Sequence, residues 1–273
     1  MRRYLVVIRA GGKSLHRRLL DEDPGRNWDC CVNFHGTPAE ERLAESYLPG
    51  GINKFEGLER VLAAWPGEFP YRYLLSLDDD VYFAPGDISR FFTVCDLRVS
   101  FIAQPALRWR SFFSHRVTLR NPATLLRAVT FIEVMAPCFS AQALQLLRPT
   151  FMLAKSLWGT DVAWSALCAA KHPMHIIDEV SVVHTKPILR GSGPFYRMLR
   201  DMGVNPDEDL ARVQALFPHF RLRVGNERAG HVFRAGIPRP IGPLLMNFFE
   251  AAKLLAKHVQ SVRRRRWNPA GPD

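Results

Sequence analysis

The chain has 273 residues, 47% of them hydrophobic and 11% aromatic, and it carries a formal net charge of +11 at pH 7. Because this apolar content is enough to bury a core, it excludes global disorder, and the length fits one large α/β domain with an appendage. The positive charge favours an anionic partner, such as nucleic acid, a phosphorylated ligand or an acidic lipid surface, and does not choose among them.

The cysteine pattern and the hydropathy both favour the cytoplasm. The five cysteines, two of them adjacent at Cys30 and Cys31, form no C-x-x-C pair and no even framework of the secreted type, so reduced thiols are expected. The apolar run from Tyr4 to Ile8 is too short for a signal peptide or a membrane span, and no uncharged apolar stretch approaches about 18 residues. We therefore expect a cytoplasmic protein, in solution or peripheral on the inner face of the membrane.

In the first half of the chain, short apolar runs alternate with a helical pattern, which predicts a βαβ arrangement around a largely parallel sheet. Strands are expected at Tyr4 to Ile8, Trp28 to Phe34 and Tyr73 to Leu77, and a helix at Lys54 to Trp65. The acidic run Asp78 to Asp80 directly follows the third strand. Ligands of open α/β sheets bind at the carboxyl ends of strands, so this run lies where a ligand site is expected.

The second half of the sequence predicts further strands and helices, and Thr160 is expected to cap one of these helices. Strands are expected at Val99 to Ile102, at Phe131 to Met135, and as a pair over Ile176 to Val183 interrupted at Asp178 and Glu179; helices at Ala141 to Leu147, Thr160 to about Ala170, and Pro206 to Leu216; and a polar loop from Arg108 to Arg127.

Three adjacent carboxylates repel one another, and a divalent cation relieves that repulsion. Mg²⁺ and Mn²⁺ bind through one or two carboxylates and share the remaining positions with water and a diphosphate. Because strand side chains alternate, Asp78 and Asp80 are the two that would face such a site together. The alternative, a solvated acidic turn in which an aspartate caps the next helix, stays open.

Three other places carry residues of interest, each with a plain structural alternative. Asp161, in the segment WGTD, lies in the first turn of a helix, where the dipole favours a carboxylate whatever its function. His184 follows a strand directly and can be a histidine satisfied by its neighbours. Arg9 and Gly11 follow the first strand, where glycine permits close backbone approach to a nucleotide, although a plain loop explains them equally well.

Several segments between Leu15 and Ile188 resemble one known family, the bacterial and plant proteins grouped as domain of unknown function seven-zero-seven, which look like GT-A glycosyltransferases. The plant members carry a mixed acidic motif such as DED, so the DDD of this chain leaves open which carboxylate coordinates the metal. The segments that carry the resemblance are GRNWDCCVNFHG (Gly25 to Gly36), GGINKFEGL (Gly50 to Leu58), AQPAL (Ala103 to Leu107), FIEVMAPCFS (Phe131 to Ser140), WGTDVAW (Trp158 to Trp164) and IIDEVSVVHTKPI (Ile176 to Ile188).

The resemblance implies an α/β, GT-A-like (Rossmann-like) sandwich with a mostly parallel central sheet flanked by helices. Residues 1–200 would form the nucleotide-sugar-binding catalytic domain, followed by an extension over 201–240. The implied reaction moves a sugar from a nucleotide-sugar donor, here expected to be a UDP-sugar, to a carbohydrate or lipid-linked acceptor, with Mn²⁺ or Mg²⁺ as cofactor.

The resemblance also implies residue roles. Asp78 and Asp80 would bind the metal and the donor, and His184 would complete the metal site. Asp161 would be the base that takes the acceptor proton in an inverting enzyme. Apart from the resemblance, Lys54 or Arg190 would supply positive charge to the diphosphate, and Arg9 and Gly11, which follow the first strand, would lie near the base and ribose.

The C-terminal segment, residues 241–273, predicts a basic amphipathic helix. Apolar residues recur from Ile241 to Val259 at spacings of three and four, and the run Arg263 to Arg266 is followed by Trp267. This pattern suits an anionic membrane surface over 241–267, and it equally suits a helix packed on the domain; both stay open.

Two other functions also stay open. One is a non-catalytic nucleotide- or sugar-binding protein on the same fold. The other is nucleic-acid binding, against which the dispersed Arg and Lys residues and the lack of interleaved aromatic residues argue. No nucleic-acid partner is therefore expected.

Overall fold

The computed structural model describes residues 1–12, 14–21, 23, 25–36, 43–65, 69–168, 171–187, 193–238 and 240–266, with side chains as far as residue 261. Arg190, Trp267 and the end of the helix predicted to reach Ala170 lie outside these described residues.

The described chain forms a mixed α/β structure. Its strands are β1 (Tyr4–Ala10), β2 (Trp28–Phe34), β3 (Ser46–Pro49), β4 (Tyr73–Asp78), β5 (Val81–Tyr82), β6 (Ile102–Leu107), β7 (Thr124–Ala128), β8 (Cys138–Ser140), β9 (Met174–His184) and β10 (Val232–Phe233). Its helices are α1 (His16–Asp21), α2 (Lys54–Ala63), α3 (Asp87–Leu97), α4 (Ala141–Leu147), α5 (Thr160–Cys168), α6 (Pro194–Asp201), α7 (Pro206–Ala215) and α8 (Gly242–Arg266).

One sheet runs through the molecule in the order β10-β7-β9-β6-β8-β4-β1-β2-β3, and β5 pairs with β9 beside it. The strands β4, β1, β2 and β3 are parallel to one another, as are β6 and β9, whereas β8 is antiparallel to both of its neighbours. The predicted α/β sandwich with a central sheet is confirmed. Parallel pairing dominates the half that contains β1, and the sheet as a whole is mixed.

The sheet separates two hydrophobic cores, and β1 contributes to both. Val6 and Ile8 point to one side, where helix α3 packs with Phe91 and Phe92. The intervening Leu5 and Val7 point to the other side, which is covered by α2. A strand buried on both faces needs apolar residues at every position, which explains the continuous run YLVVI.

The strand pair predicted over Ile176 to Val183 is one strand, β9, with an irregularity in the middle. Its register against β6 passes from Pro105–Ile177 to Ala106–Ser181, so residues 178–180 form a bulge. Asp178 is fully buried there and pairs with the buried Arg127 at 2.7 Å. The polar residues that indicated a break therefore mark a bulge that serves an internal ion pair.

Two predicted strands are wrong. Val99 has a φ of 47° in the turn after α3, so the strand begins only at Ile102. Residues 131–135 form no strand: the backbone N–H of Glu133 donates to the Gln104 side chain at 2.7 Å, and the carbonyls of Val134 and Met135 accept from Lys54. These side-chain partners, with one backbone hydrogen bond from the Asp78 N–H to the Met135 carbonyl, take the place of a continuous strand neighbour, and the apolar composition reflects burial.

Two further predictions change in detail. The segment predicted as a loop from Arg108 to Arg127 contains most of β7, which pairs with β9 and β10. Thr160 is the first residue of α5, and its hydroxyl has no hydrogen-bond partner among the described residues, so it does not cap the helix.

Arg127 contacts two segments of the region beyond residue 200, which also contributes strand β10 to the sheet. Its guanidinium donates to Asp178, to the Asn226 side chain at 3.0 Å and to Glu250 of α8 at 3.3 Å. Breaking a buried pair of this kind typically costs about 3–5 kcal/mol, so the contact fixes both C-terminal segments. No helix in the described part of the chain is long and apolar enough to cross a bilayer.

Candidate active site

The three aspartates of the acidic run lie where β4 ends, and each has a different partner. Asp78, the last residue of β4, accepts from Lys54 Nζ at 2.8 Å. Lys54 is the first residue of α2, whose start is fixed by Asn53: the Asn53 side chain accepts from the N–H groups of Phe55 and Glu56. The Lys54 ammonium also donates to the Val134 and Met135 carbonyls, so all its protons are used inside the protein.

Asp79 is turned towards the loop after β1. Its Oδ2 accepts from the Gly11 N–H at 2.8 Å, and its carbonyl accepts from the Leu15 N–H. A Cβ at residue 11 would approach the His35 ring to 2.9 Å, so any larger residue there would displace that ring. Gly11, His35 and Asp79 therefore form one wall beside the ends of β1 and β2.

Asp80 meets His184 at the end of β9. His184 Nε2 lies 3.4 Å from Asp80 Oδ1, and the side chains are 8% and 17% exposed. Pairing of β5 with β9 brings the two together, and Thr185 adds two hydrogen bonds to the Asp80 carbonyl. The structure thus places His184 beside the acidic run, as the sequence predicts.

The hydrogen bond made by His184 Nδ1 determines what Nε2 presents to Asp80. Nδ1 lies 3.0 Å from the Phe112 carbonyl, and because a carbonyl only accepts, Nδ1 must carry a proton. In a neutral ring, the Nε2 lone pair would then face the Asp80 carboxylate. Burial alone would lower the pKa of His184, but the hydrogen bond and charge of Asp80 outweigh it and raise the pKa. This pair needs a proton or a metal ion between its members.

Glu133, which no sequence pattern singled out, is a further buried carboxylate near these residues. Its side chain is 6% exposed, and its Oε2 has no hydrogen-bond partner among the described residues. Burial, together with the charge of Asp161, raises the pKa of Glu133 to about 7, and the charges of His184 and Asp78 also act on it. The next residue, Val134, accepts from Lys54, which also pairs with Asp78, so Glu133 lies beside the end of β4. The available signal was a lone carboxylate inside the apolar run FIEVM.

Asp161 lies at the start of α5, where its Oδ1 accepts from the Val162 N–H at 2.9 Å. Burial raises the pKa of Asp161 to about 7, although hydrogen bonds from the backbone oppose the shift. No ion pair to Asp161 occurs among the described residues. A carboxylate with a pKa near neutrality can accept a proton at physiological pH and release it again, as a general base requires.

The turn before Asp161 has an unusual backbone and borders a cavity. Leu157 and Gly159 have φ values of 67° and 93°, and a non-glycine residue in this region is strained. Trp158, between them, donates from Nε1 to the Tyr196 hydroxyl at 3.2 Å. Both rings line a cavity of about 710 Å³ that also includes Arg200 and the segment 203–207.

Arg9 is part of the scaffold in this structure. Its guanidinium donates to the Asn33 side chain and to the carbonyls of Gly50 and Gly51. It therefore holds the loop between β3 and α2, which positions Lys54. Arg190, the other predicted donor contact, lies outside the described residues.

No protein-family model matches the sequence, and no curated protein is similar enough to register as a match. Solved structures do match. A structure of GalNAc-T7 with UDP, GalNAc and Mn²⁺ aligns over 79% of this chain and 50% of its own, with a TM-score of 0.51 and 13% identity. S. aureus TarS aligns over 80% of this chain and 43% of its own, with a TM-score of 0.44 and 11% identity.

S. aureus TarS 1–349 in complex with UDP-GlcNAc aligns over 80% of this chain and 72% of its own, with a TM-score of 0.46 and 8% identity. The chain has a GT-A-like fold. It spans about half the length of the GalNAc-T7 chain.

The donor atoms at the end of β4 in this GT-A-like fold suit a hard divalent cation. Asp80 offers carboxylate oxygen and His184 offers Nε2, and the bond from Nδ1 to the Phe112 carbonyl orients the ring as in protein metal sites. Asp78 is already engaged by Lys54. No group of three His, Cys, Asp or Glu residues is arranged around one point in the described chain. A cation here would therefore complete its ligand set with water and diphosphate oxygens, as Mg²⁺ and Mn²⁺ commonly do.

The raised pKa of Asp161 predicts a pH-dependent cost in stability. A carboxyl group whose pKa rises on folding is less costly when protonated, so the free energy of unfolding should fall as pH rises from about 4 to about 7. Asp161→Asn removes this cost and should be more stable than the wild type at pH 8, by up to about 4 kcal/mol, and similar to it near pH 4. Urea unfolding at several pH values measures the difference.

Asp201→Asn, at an exposed position, serves as the matched control and should leave the pH profile of unfolding unchanged. If Asp161→Asn destabilises the protein equally at every pH, the carboxylate is not held in a costly buried state.

Proposed function

We propose that this chain is a metal-dependent glycosyltransferase that moves a sugar from a nucleotide-sugar donor to a carbohydrate or lipid-linked acceptor. The observation that carries the proposal is the contact between Asp80 and His184 at the end of β4, next to the carboxylate of Asp78. The charges of His184 and Asp161 both affect the pKa of the buried Glu133 nearby. The GT-A-like fold supports it. The sequence resemblance to domain of unknown function seven-zero-seven agrees with it.

On the donor side, we propose that Asp80 and His184 hold Mn²⁺ or Mg²⁺, with Asp78 beside them. When bound, the cation neutralises the diphosphate of the donor as a Lewis acid and a template. Asp78 keeps a 39% exposed side chain although Lys54 holds one of its oxygens, so it remains accessible to the donor. The first donor to test is a UDP-sugar with Mn²⁺, because UDP and Mn²⁺ occur together in the GalNAc-T7 structure.

Lys54 and Arg9 take roles different from direct donor contact in this proposal. The three acceptors around the Lys54 ammonium leave it no proton for a diphosphate, so it positions Asp78 and the segment that carries Glu133. Arg9 positions the loop in front of Lys54. Gly11 and His35 form the wall against which the base and ribose would lie, next to Asp79.

On the acceptor side, we propose that Asp161 is the general base. It takes the proton of the acceptor hydroxyl while the hydroxyl oxygen bonds to the anomeric carbon and the bond from that carbon to the diphosphate oxygen breaks, with the electron pair leaving on the diphosphate. Burial of Asp161 raises its proton affinity, which suits a base that works near neutral pH. The cavity lined by Trp158 and Tyr196 adjoins this helix start and is the proposed place for the acceptor.

Nucleotide binding gives the first test. We expect UDP with Mn²⁺ to raise the melting temperature strongly and UDP with a chelator to raise it little. A ligand at about 100 times its dissociation constant adds about 2.7 kcal/mol of stability. Asp80→Asn should abolish the metal-dependent part, and Asp201→Asn should retain it. If no nucleoside diphosphate or nucleotide sugar stabilises the wild type at saturating concentration, the proposed donor site is wrong.

Turnover separates an enzyme from a binding protein on the same fold. With the UDP-sugar that stabilises best, UDP release should be measurable with water as acceptor, and Asp161→Asn should lower its rate by roughly 10²- to 10⁴-fold. The same variant should keep metal-dependent UDP stabilisation, since Asp161 is assigned to the acceptor side. A wild type that binds UDP-sugar and releases none, even with extracted glycans and glycolipids, would be a non-catalytic binding protein.

A further inference from the structure

Helix α8 packs against the domain through a narrow face of mixed polarity. The residues that it buries are Met246, Lys253, Ala256 and Gln260, with exposed fractions of 6%, 0%, 5% and 8%. Two of the four carry a charge or an amide. An amphipathic helix normally buries its large apolar residues, whereas this helix buries two polar residues and leaves several large apolar residues exposed.

Specific hydrogen bonds fix that orientation. Lys253 Nζ donates to Glu250 Oε1 at 2.6 Å, and the same oxygen accepts from the Asn121 side chain at 2.8 Å. The Asn121 amide also donates to the Met246 carbonyl, and Gln260 Nε2 donates to the Phe113 carbonyl at 2.9 Å. A buried polar set with its partners in place resists rotation of the helix, because rotation would leave these groups unpaired.

The opposite side of the helix is apolar and open to solvent. We call Ile241, Leu244, Phe248, Leu255 and Val259 the α8 stripe; their exposed fractions are 43%, 68%, 64%, 71% and 52%. Spacings of three, four and seven place them on one face. At about 1.5 Å per residue, the stripe is about 27 Å long. A continuous exposed apolar face of this length indicates an interaction surface.

Charge indicates what covers the stripe. The helix continues to Arg266, so the run Arg263 to Arg266 in the sequence follows the stripe directly. The whole chain carries a net charge of +11, and a second copy would bring the same positive charge to the contact. An anionic lipid bilayer offers both an apolar interior for the stripe and negative headgroups for the arginines.

We propose that helix α8 lies in the interface of an anionic lipid bilayer with the α8 stripe in the acyl boundary, and that the positive charge of the adjoining sequence favours anionic headgroups. The contacts of Glu250 with Asn121 and of Gln260 with the Phe113 carbonyl hold the domain on the side of the helix that faces away from the stripe. This surface is formed by other residues than the proposed donor site, so its test stands apart from the test of glycosyl transfer.

Vesicle co-sedimentation tests the proposal. The wild type should bind vesicles of phosphatidylcholine mixed with phosphatidylglycerol, bind pure phosphatidylcholine weakly, and lose affinity at high salt. The double variant Phe248→Glu with Leu255→Glu should bind at least about tenfold more weakly, since it puts two charges into the stripe. The control variant Asn247→Glu with Ser261→Glu adds the same charge at exposed positions of the same helix outside the stripe, and it should bind more tightly than the stripe variant.

Circular dichroism and the melting temperature check that both variants fold, and light scattering after size-exclusion chromatography gives the mass in solution. The proposal is overturned if the wild type does not bind anionic vesicles, or if the stripe variant and the control variant bind these vesicles equally tightly. A wild-type dimer that the stripe variant converts to a monomer, without vesicle binding, would assign the stripe to a second copy of the chain.

Discussion

Three consecutive carboxylates at the end of β4 are the constraint on which the site depends, because side by side they repel one another and each needs its own compensation. Asp78 takes it from Lys54 of α2, Asp79 from the Gly11 N–H after β1, and Asp80 from His184 at the end of β9. Three segments distant in sequence are thereby brought to one strand end. The acidic run organises the site as well as belonging to it.

The three aspartates differ in how their negative charge is balanced, and this difference indicates where a cation would bind. Asp78 and Asp79 have donors that carry protons in any state of the protein. The Asp80–His184 pair needs a proton or a cation, since the Phe112 carbonyl directs the other imidazole N–H away from Asp80. Glu133 and Asp161, both with raised pKa values, add to the cost. The buried Arg127–Asp178 pair, with its hydrogen bonds satisfied, shows how the same fold treats a purely structural charge.

Much of this arrangement can be predicted from the sequence, because a continuous apolar run indicates a buried strand without knowledge of its neighbours. The buried strands β1, β2 and β4 are continuous apolar runs, and their order predicts that Asp78 to Asp80 lie at the carboxyl ends of the parallel strands. Residues 131–135 show where this logic fails: their composition is that of a strand, but Gln104 and Lys54 supply the hydrogen bonds.

The function of single polar residues was harder to predict, because it depends on contacts between distant segments. Lys54 carries an ammonium group of the kind that binds phosphate, but in the structure three acceptors inside the protein surround it. Glu133 lies inside one of the segments that carry the resemblance, but nothing in the segment itself indicates that this carboxylate lies next to Lys54 and Asp78. The sequence predicts helix α8 as amphipathic, but its contacts with Asn121 and with the Phe113 carbonyl show which side faces the domain.

The most direct test of the central claim is a crystal structure grown with UDP and Mn²⁺, with anomalous data collected at the manganese absorption edge. The proposed function predicts one anomalous peak at coordination distance from both the Asp80 carboxylate and His184 Nε2, bridged to the diphosphate of UDP. Bound UDP with no manganese at these two side chains, or manganese and UDP bound elsewhere on the chain, would contradict it.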